Sequence, residues 1–241
     1  MTSPTLFVLL GMLAMVAPPA KAEILLWDNY PSGLQDPTVS MSSERNTQVT
    51  EATWTVDDVD LDQVLPGIDP SAVTLTRIEW VGARDPGVGY SRADVIVLDS
   101  DLDDLTAVEY LDLSYSFSDL VPDPNPDPDI QTYVGQIEFD PPIPVPETHF
   151  FIGVRLVGDG VFEGRNQFVT SSTDATLRGL TEGYIRAAIF GAPDWTPASD
   201  VWHGMPTPNE NFEFAFRVWG VPEPASLVLL AVGAVLLSRR S

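Results

Sequence analysis

Between Glu109 and Phe117 the chain alternates. Leu111, Leu113, Tyr115 and Phe117 fall on one side, and Asp112, Ser114 and Ser116 on the other. A period of two is that of a strand with one buried and one wet face, and a helix does not satisfy it. Similar segments recur along the chain, each closed by proline, glycine, aspartate or asparagine. Ile24 to Trp27 runs into Asp28-Asn29-Tyr30-Pro31-Ser32-Gly33 and reads as an opening strand. Gln48–Val56 and Val73–Val81 follow, the latter with a change of face that predicts a bulge near Thr76 and Arg77. Ala93–Leu98 is apolar apart from Asp94, and Phe150–Val157 is apolar on both faces apart from Arg155, so both read as buried strands and the second as central. Ile130–Phe139 and Tyr184–Phe190 read as strands, and Phe162 and Phe168–Thr170 as weaker ones. Phe212–Gly220 closes the series with Phe212, Phe214, Phe216 and Val218 inward and Glu213 and Arg217 outward.

Asp103–Tyr110 reads as a short helix. Val121–Asp129 and Asp140–Pro146 are proline-rich loops, and Gly191–Asn211 is a long loop holding Trp195 and Trp202. About ten short strands, few helical stretches and no internal repeat predict an all-β fold, an antiparallel β-sandwich of jelly-roll type. The closing strand is expected to pair with the opening one.

The two ends are of a different kind. Leu6–Val16 is an apolar run followed by Ala20-Lys21-Ala22, the small-x-small pattern of a cleaved leader, although the first five residues lack a basic side chain. Residues 1–22 are therefore expected to be a signal peptide, with the mature chain starting at Glu23. At the other end stand Val221, Pro222, Glu223 and Pro224, the uncharged run Ala225–Leu237, and then Ser238, Arg239 and Arg240. The run is short for a permanent anchor: as a helix it rises roughly 20 Å against a hydrocarbon core of about 30 Å. The arginines favour a cytoplasmic end, which puts the preceding chain outside.

Motif, marginal apolar segment and basic end, in that order, resemble a PEP-CTERM sorting signal over residues 221–241. The resemblance implies a transient membrane association, processing by an exosortase-type enzyme, and delivery to the cell surface or extracellular matrix. It implies sorting only, because the domains upstream of such tails are diverse. It leaves residues 23–220 as a single ectodomain.

That ectodomain carries nine arginines, no lysine and 34 acidic residues, a balance of −25. Such a body is repelled by nucleic acid and by anionic lipid, so nucleic acid is not expected as a partner. There is no cysteine, which rules out disulfides and thiolate metal sites; stability has to come from burial.

Candidate sites are few. Three acidic clusters stand out: Asp57, Asp58, Asp60 and Asp62; Asp99, Asp101, Asp103 and Asp104; and Asp123, Asp127 and Asp129. Calcium takes six to eight oxygens from a flexible loop. Asp99, Asp101 and Asp103, placed directly after a strand, are the best candidates for an irregular calcium site. No cluster has the glycine that an EF-hand loop needs. The competing reading is a solvated acidic edge that discourages strand pairing. Trp195 and Trp202 are candidate platforms for a sugar ring, unless they fold back on the sandwich. His149 and His203 are far apart, no Gly-x-Ser-x-Gly is present, and no catalytic set is recognisable. The expected role is non-catalytic, structural or interactive, at the cell surface or in the matrix. A carbohydrate-binding module on extracellular polysaccharide, with or without calcium, is the alternative, and a polysaccharide hydrolase using two carboxylates is the third reading.

Overall fold

The computed structural model describes residues 22–29, 40–46, 52–84, 90–119, 129–158, 166–169, 180–201 and 212–222. Within them lie fourteen strands and one short helix. The strands are β1 (Ile24–Asp28), β2 (Ser40–Ser42), β3 (Glu44–Asn46), β4 (Trp54–Asp60), β5 (Val73–Arg84), β6 (Tyr90–Asp99), β7 (Val108–Leu113), β8 (Ser116–Asp119), β9 (Gln131–Pro144), β10 (His149–Gly158), β11 (Asn166–Val169), β12 (Tyr184–Ala187), β13 (Ala192–Pro197) and β14 (Phe216–Pro222); the helix α1 is Ala198–Val201.

They form two sheets. The first runs β1-β14-β5-β9-β8, with β11 and β2 continuing beyond β14 along the same side of β5. The second runs β13-β12-β4-β10-β6-β7 and carries β3 parallel to β10; the other pairings are antiparallel. The orders β1-β14-β5-β9 and β4-β10-β6-β7, with the chain passing repeatedly between sheets, are the winding of a jelly roll. The sandwich expected from the alternating segments is therefore the fold, built from more strands than the sequence suggests. The closing strand pairs with the opening one, Ile24 opposite Gly220 and Asp28 opposite Arg217.

Burial explains which segments sit where. β10 is buried along nearly its whole length because β4 and β6 flank it and both of its faces are covered. Its inner residues Phe150, Ile152 and Val154 join Leu75, Ile78, Trp80, Ile137 and Phe216 in the core between the sheets. Its outer face contributes Phe151 to a second cluster with Trp54, Val56, Ile96 and Leu98, against which Leu102, Tyr184 and Trp195 pack. The second sheet is thus covered on both faces, which is why β6 and β10 read as nearly unbroken apolar runs.

Two register pairs between β5 and β9 lock the first sheet. Trp80 stands opposite Gly135, and Tyr133 opposite Gly82. Each ring lies across the glycine facing it, and the rings meet edge to face at 6.5 Å between centroids. A side chain at either glycine would occupy the space of a buried ring. The irregularity between Leu75 and Arg77 is the bulge that the change of face requires.

Other expectations are corrected. Glu109–Phe117 is not one strand: β7 ends at Leu113 in the second sheet, and β8 starts at Ser116 in the first. Asp112 has a positive φ, so the alternation slips there and Leu111 is left exposed. Asp103–Tyr110 is not a helix; its first half is turn and its last residues begin β7. β9 runs on through the expected loop to Pro144. Trp195 lies in β13, not in a loop, and Glu213 is buried, not outward. Residues 1–21 of the leader, Gln48–Thr50, Val121–Pro128, Phe162, Trp202, His203 and the tail from Glu223 lie outside the described residues. Among the described residues no helix is long and apolar enough to cross a membrane.

Gly135→Ala is expected to cost about 1–3 kcal/mol, the usual range for overfilling a packed core. Denaturant unfolding of the two proteins should show a lower midpoint with an unchanged slope; equal midpoints would mean that the Trp80 ring has room to move.

Candidate functional site

The polar chemistry of the described residues gathers on β4 and its neighbours. Successive side chains of a strand point to opposite faces. β4 is covered on both, so Asp57 and Asp58 are both removed from water, in opposite directions. The expectation that this cluster is a solvated edge is overturned.

Asp57 points towards the first sheet. Its Oδ2 accepts the backbone N–H of Phe214 at 2.6 Å and the side-chain amide of Asn29 at 3.1 Å, and its Oδ1 accepts the N–H of Asp58 at 2.9 Å. Asn29 follows β1 and is fixed by its own N–H on the carbonyl of Phe216. Glu213, just before Phe214, is buried too. Burial raises the Asp57 carboxyl well above the ordinary carboxylate range, and the charges of Glu213 and Asp58 add to the rise.

Asp58 points away from the core. Its Oδ2 takes His149 Nε2 at 2.8 Å and the backbone N–H groups of Leu180 and Thr181 at 2.6 and 3.2 Å. This ties the chain entering β12 to the outer face of the second sheet. His149 also meets Phe151 edge to face at 5.5 Å. The hydrogen bond to Asp58 raises the imidazole above its ordinary value against the opposing effect of burial. Among the described residues Asp58 is the ring's one hydrogen-bond partner, and no hydroxyl nucleophile bonds to it. The pair is built as a clamp.

Beside it, Asp94 of β6 pairs in register with Arg155 of β10. Arg155 Nε donates to Asp94 Oδ2 at 2.8 Å, Arg45 Nε donates to the same oxygen at 2.7 Å, and the N–H of Asp112 reaches Oδ1 at 2.8 Å. Burial pushes the Asp94 carboxyl up, but these donors outweigh it and hold the group below its ordinary value. Arg155 also lies 3.9 Å over the ring of Trp54.

Of the proposed calcium ligands, Asp99 closes its own turn. Its Oδ1 accepts the N–H groups of Asp101 and Asp103, both at 3.2 Å, and its Oδ2 accepts the Thr106 hydroxyl. That hydroxyl is the main reason the Asp99 carboxyl lies below its ordinary value. Asp103 accepts from the N–H of Leu105. Among the described residues no group of three or more His, Cys, Asp or Glu side chains is placed to hold a metal ion. Asp60 and Asp69 each cap a short 3-10 turn. Asp129 lies in a turn, and Asp123 and Asp127 are outside the described residues.

Trp195 is partly buried. Its Nε1 donates to Asp104 at 3.0 Å, and Arg186, itself bonded to Asp104, lies 4.7 Å from the ring centroid. The ring packs against the outer apolar cluster of the second sheet. The structure does not bring Trp195 to the Asp99 turn through any hydrogen bond of Asp99, Asp101 or Asp103. Val221 and Pro222 belong to β14, opposite Thr74 and Val73, so the sheet takes in the first half of the Val-Pro-Glu-Pro motif.

Sequence reasoning names Asp57, Asp58 and His149 but misses the role of Asn29, the burial of Glu213 and the pairing of Asp58 with His149. The available signal was paired carboxylates inside a segment that is otherwise Trp, Val and Thr.

Because the folded His149 titrates above its unfolded value of about 6.5, the Asp58–His149 pair contributes fully below that pH. The contribution disappears as pH rises through the raised folded value. A hydrogen bond between charged groups is worth about 1.5–3 kcal/mol, and a domain of this size shifts by about 2–4 °C per kcal/mol. The His149→Gln protein should therefore melt about 3–12 °C below the parent near pH 6. The gap should close towards pH 9; a gap that does not change with pH would rule out the ion pair. No protein-family model, no curated protein and no solved structure matches this chain.

Proposed function

We propose that this chain is an exported, non-catalytic β-sandwich of the cell surface or extracellular matrix, carried there by its leader and sorted by its PEP-CTERM-like tail. One observation carries the reading: Ile24 and Gly220 are register partners in adjacent strands. The first residue of the expected mature chain, Glu23, is held there by the hydroxyl of Thr76 at 2.6 Å and by Arg77 at 3.0 Å. At the same corner Val221 is buried and Pro222 ends β14, so the motif continues directly from the sheet. Leader and tail therefore join the sandwich at one corner, an arrangement suited to a body displayed from a single membrane face and then released.

The acidic, cysteine-free body agrees with this reading. An excess of 25 negative charges keeps copies apart in a crowded exterior, and a core held by burial is indifferent to the redox state outside. The non-catalytic role rests on the polar groups of β4, which are spent on tying segments together.

The test is the mass of the chain recovered from the surface of a host with exosortase-type machinery. A species starting at Glu23 and lacking Ala225–Ser241 is expected. Replacing Arg239 and Arg240 by alanine should remove the chain from that fraction. Unprocessed chain in the cytosol would overturn the proposal, and intact tail on surface material would remove the processing step from it.

A further inference from the structure

The end of β14 and the start of the sorting motif are the same residues. Val221 stands opposite Thr74 of β5 and Pro222 opposite Val73, and Val221 is 6% exposed. On the other side of the strand lies β1, with Ile24 opposite Gly220. Half of the Val-Pro-Glu-Pro motif is therefore backbone of a strand with neighbours on both sides. Only Glu223 and Pro224 separate it from the apolar run that starts at Ala225. Two residues reach at most about 7 Å. An enzyme at the membrane that reads the whole motif has to take hold of Val221 and Pro222, and the sheet already holds them.

This end of the strand can come away without the rest. Thr76 of β5 is an extra residue in the ladder: Trp219 faces Arg77, whereas Gly220 faces Leu75. Gly220–Pro222 thus pair with β5 beyond a bulge. Pro222 brings no N–H to the ladder, so the last rung has one donor fewer than an ordinary one. On the inner side of the bulge the strand is held more firmly. Arg77 lies 3.9 Å over the Trp219 ring, and Arg217 pairs with Asp28 and Glu79. Opening can stop at the bulge and leave the body folded. Gly220 sets how closely the end is seated, because a Cβ there would meet Leu26 Cδ1 and the Thr74 carbonyl oxygen, each at 2.5 Å.

We propose that Gly220–Pro222 is a latch on the sorting tail. Closed, it withholds the motif from the processing enzyme; opening of this end alone presents it. The latch rests on the sorting role inferred above and supplies its regulation. Tail removal is then set by how often the end opens in the folded body, and the membrane retains the folded chain until it does.

The experiment follows tail loss from pulse-labelled full-length chain in a host with exosortase-type machinery. One variant carries about six Gly/Ser residues after Pro222 and then a second Val-Pro. The sheet keeps its own Val221 and Pro222, and a complete motif follows clear of it. Its tail should be lost at least about tenfold faster than the parent's, since burial of a valine side chain alone biases such an opening by roughly that factor. Gly220→Ala should also speed the loss, with no added length, because its methyl group pushes the end away from Leu26 and Thr74. Hydrogen exchange of the purified chains in mild detergent should show residues 216–222 protected in the parent and exchanging faster in Gly220→Ala, with β10 unchanged. Equal or slower loss from the insertion variant overturns the latch and leaves the sorting role standing. If the insertion speeds the loss and Gly220→Ala does not, although its strand end exchanges faster, the gain comes from distance to the membrane and the latch is again overturned. Tail loss from neither chain overturns the sorting role, and the latch with it.

Discussion

Two adjacent carboxylates in one strand hold this molecule together. In most sandwiches the strand face opposite the core is wet, and an aspartate there costs nothing. Here β4 is covered on both faces, so Asp57 and Asp58 are both desolvated and both need donors. Asp57 finds them on the chain around β1 and β14 of the facing sheet. Asp58 finds them on His149 and on the segment leading into β12. One strand thereby ties the inner layer, the outer layer and the paired chain ends. The hydrogen bonds are directional where apolar packing is not, so they specify which segments meet.

The few positive charges are placed with similar economy. Arg77, Arg84, Arg155 and Arg186 each lie over an aromatic ring, at 3.9, 4.0, 3.9 and 4.7 Å from the centroid, and each also faces a carboxylate. A planar guanidinium offers its edge to an anion and its face to a ring at once, which an ammonium cannot do as well. That is a physical reason for a body that uses arginine and no lysine. The cations are tied into the fold, and much of the acidic excess is left to face the solvent.

Much of the architecture is legible in the residues. Alternation and turn chemistry indicate strands, and the two-sided apolar runs mark β6 and β10 as central. Even their exceptions were informative, since Asp94 and Arg155, the lone charges in those runs, are each other's register partners. What could not be read depends on layers beyond the nearest sheet. Asp57 and Asp58 look like a solvated edge until chain from residue 180 onward is seen to cover the outer face. Glu213 alternates as an outward residue but sits before the sheet starts, where the chain turns inward to meet Asp57. Leu111 keeps the alternation of its neighbours and is still exposed, because Asp112 adopts a positive φ where the chain leaves one sheet for the other. The polar site was legible only as composition, because its members come from strands far apart in sequence.

The register that sets Ile24 against Gly220 has a consequence for how such a body is inherited. Partners in an antiparallel ladder have Cα atoms about 4.5–5.5 Å apart. A few residues would therefore suffice to join Glu23 to Pro222 into a closed ring of backbone. New termini opened at a surface turn would leave every strand neighbour in place. The same closeness lets the sandwich sit between two residues of an unrelated host protein without prying it apart. It is a cassette, portable between polypeptides whatever they carry on either side.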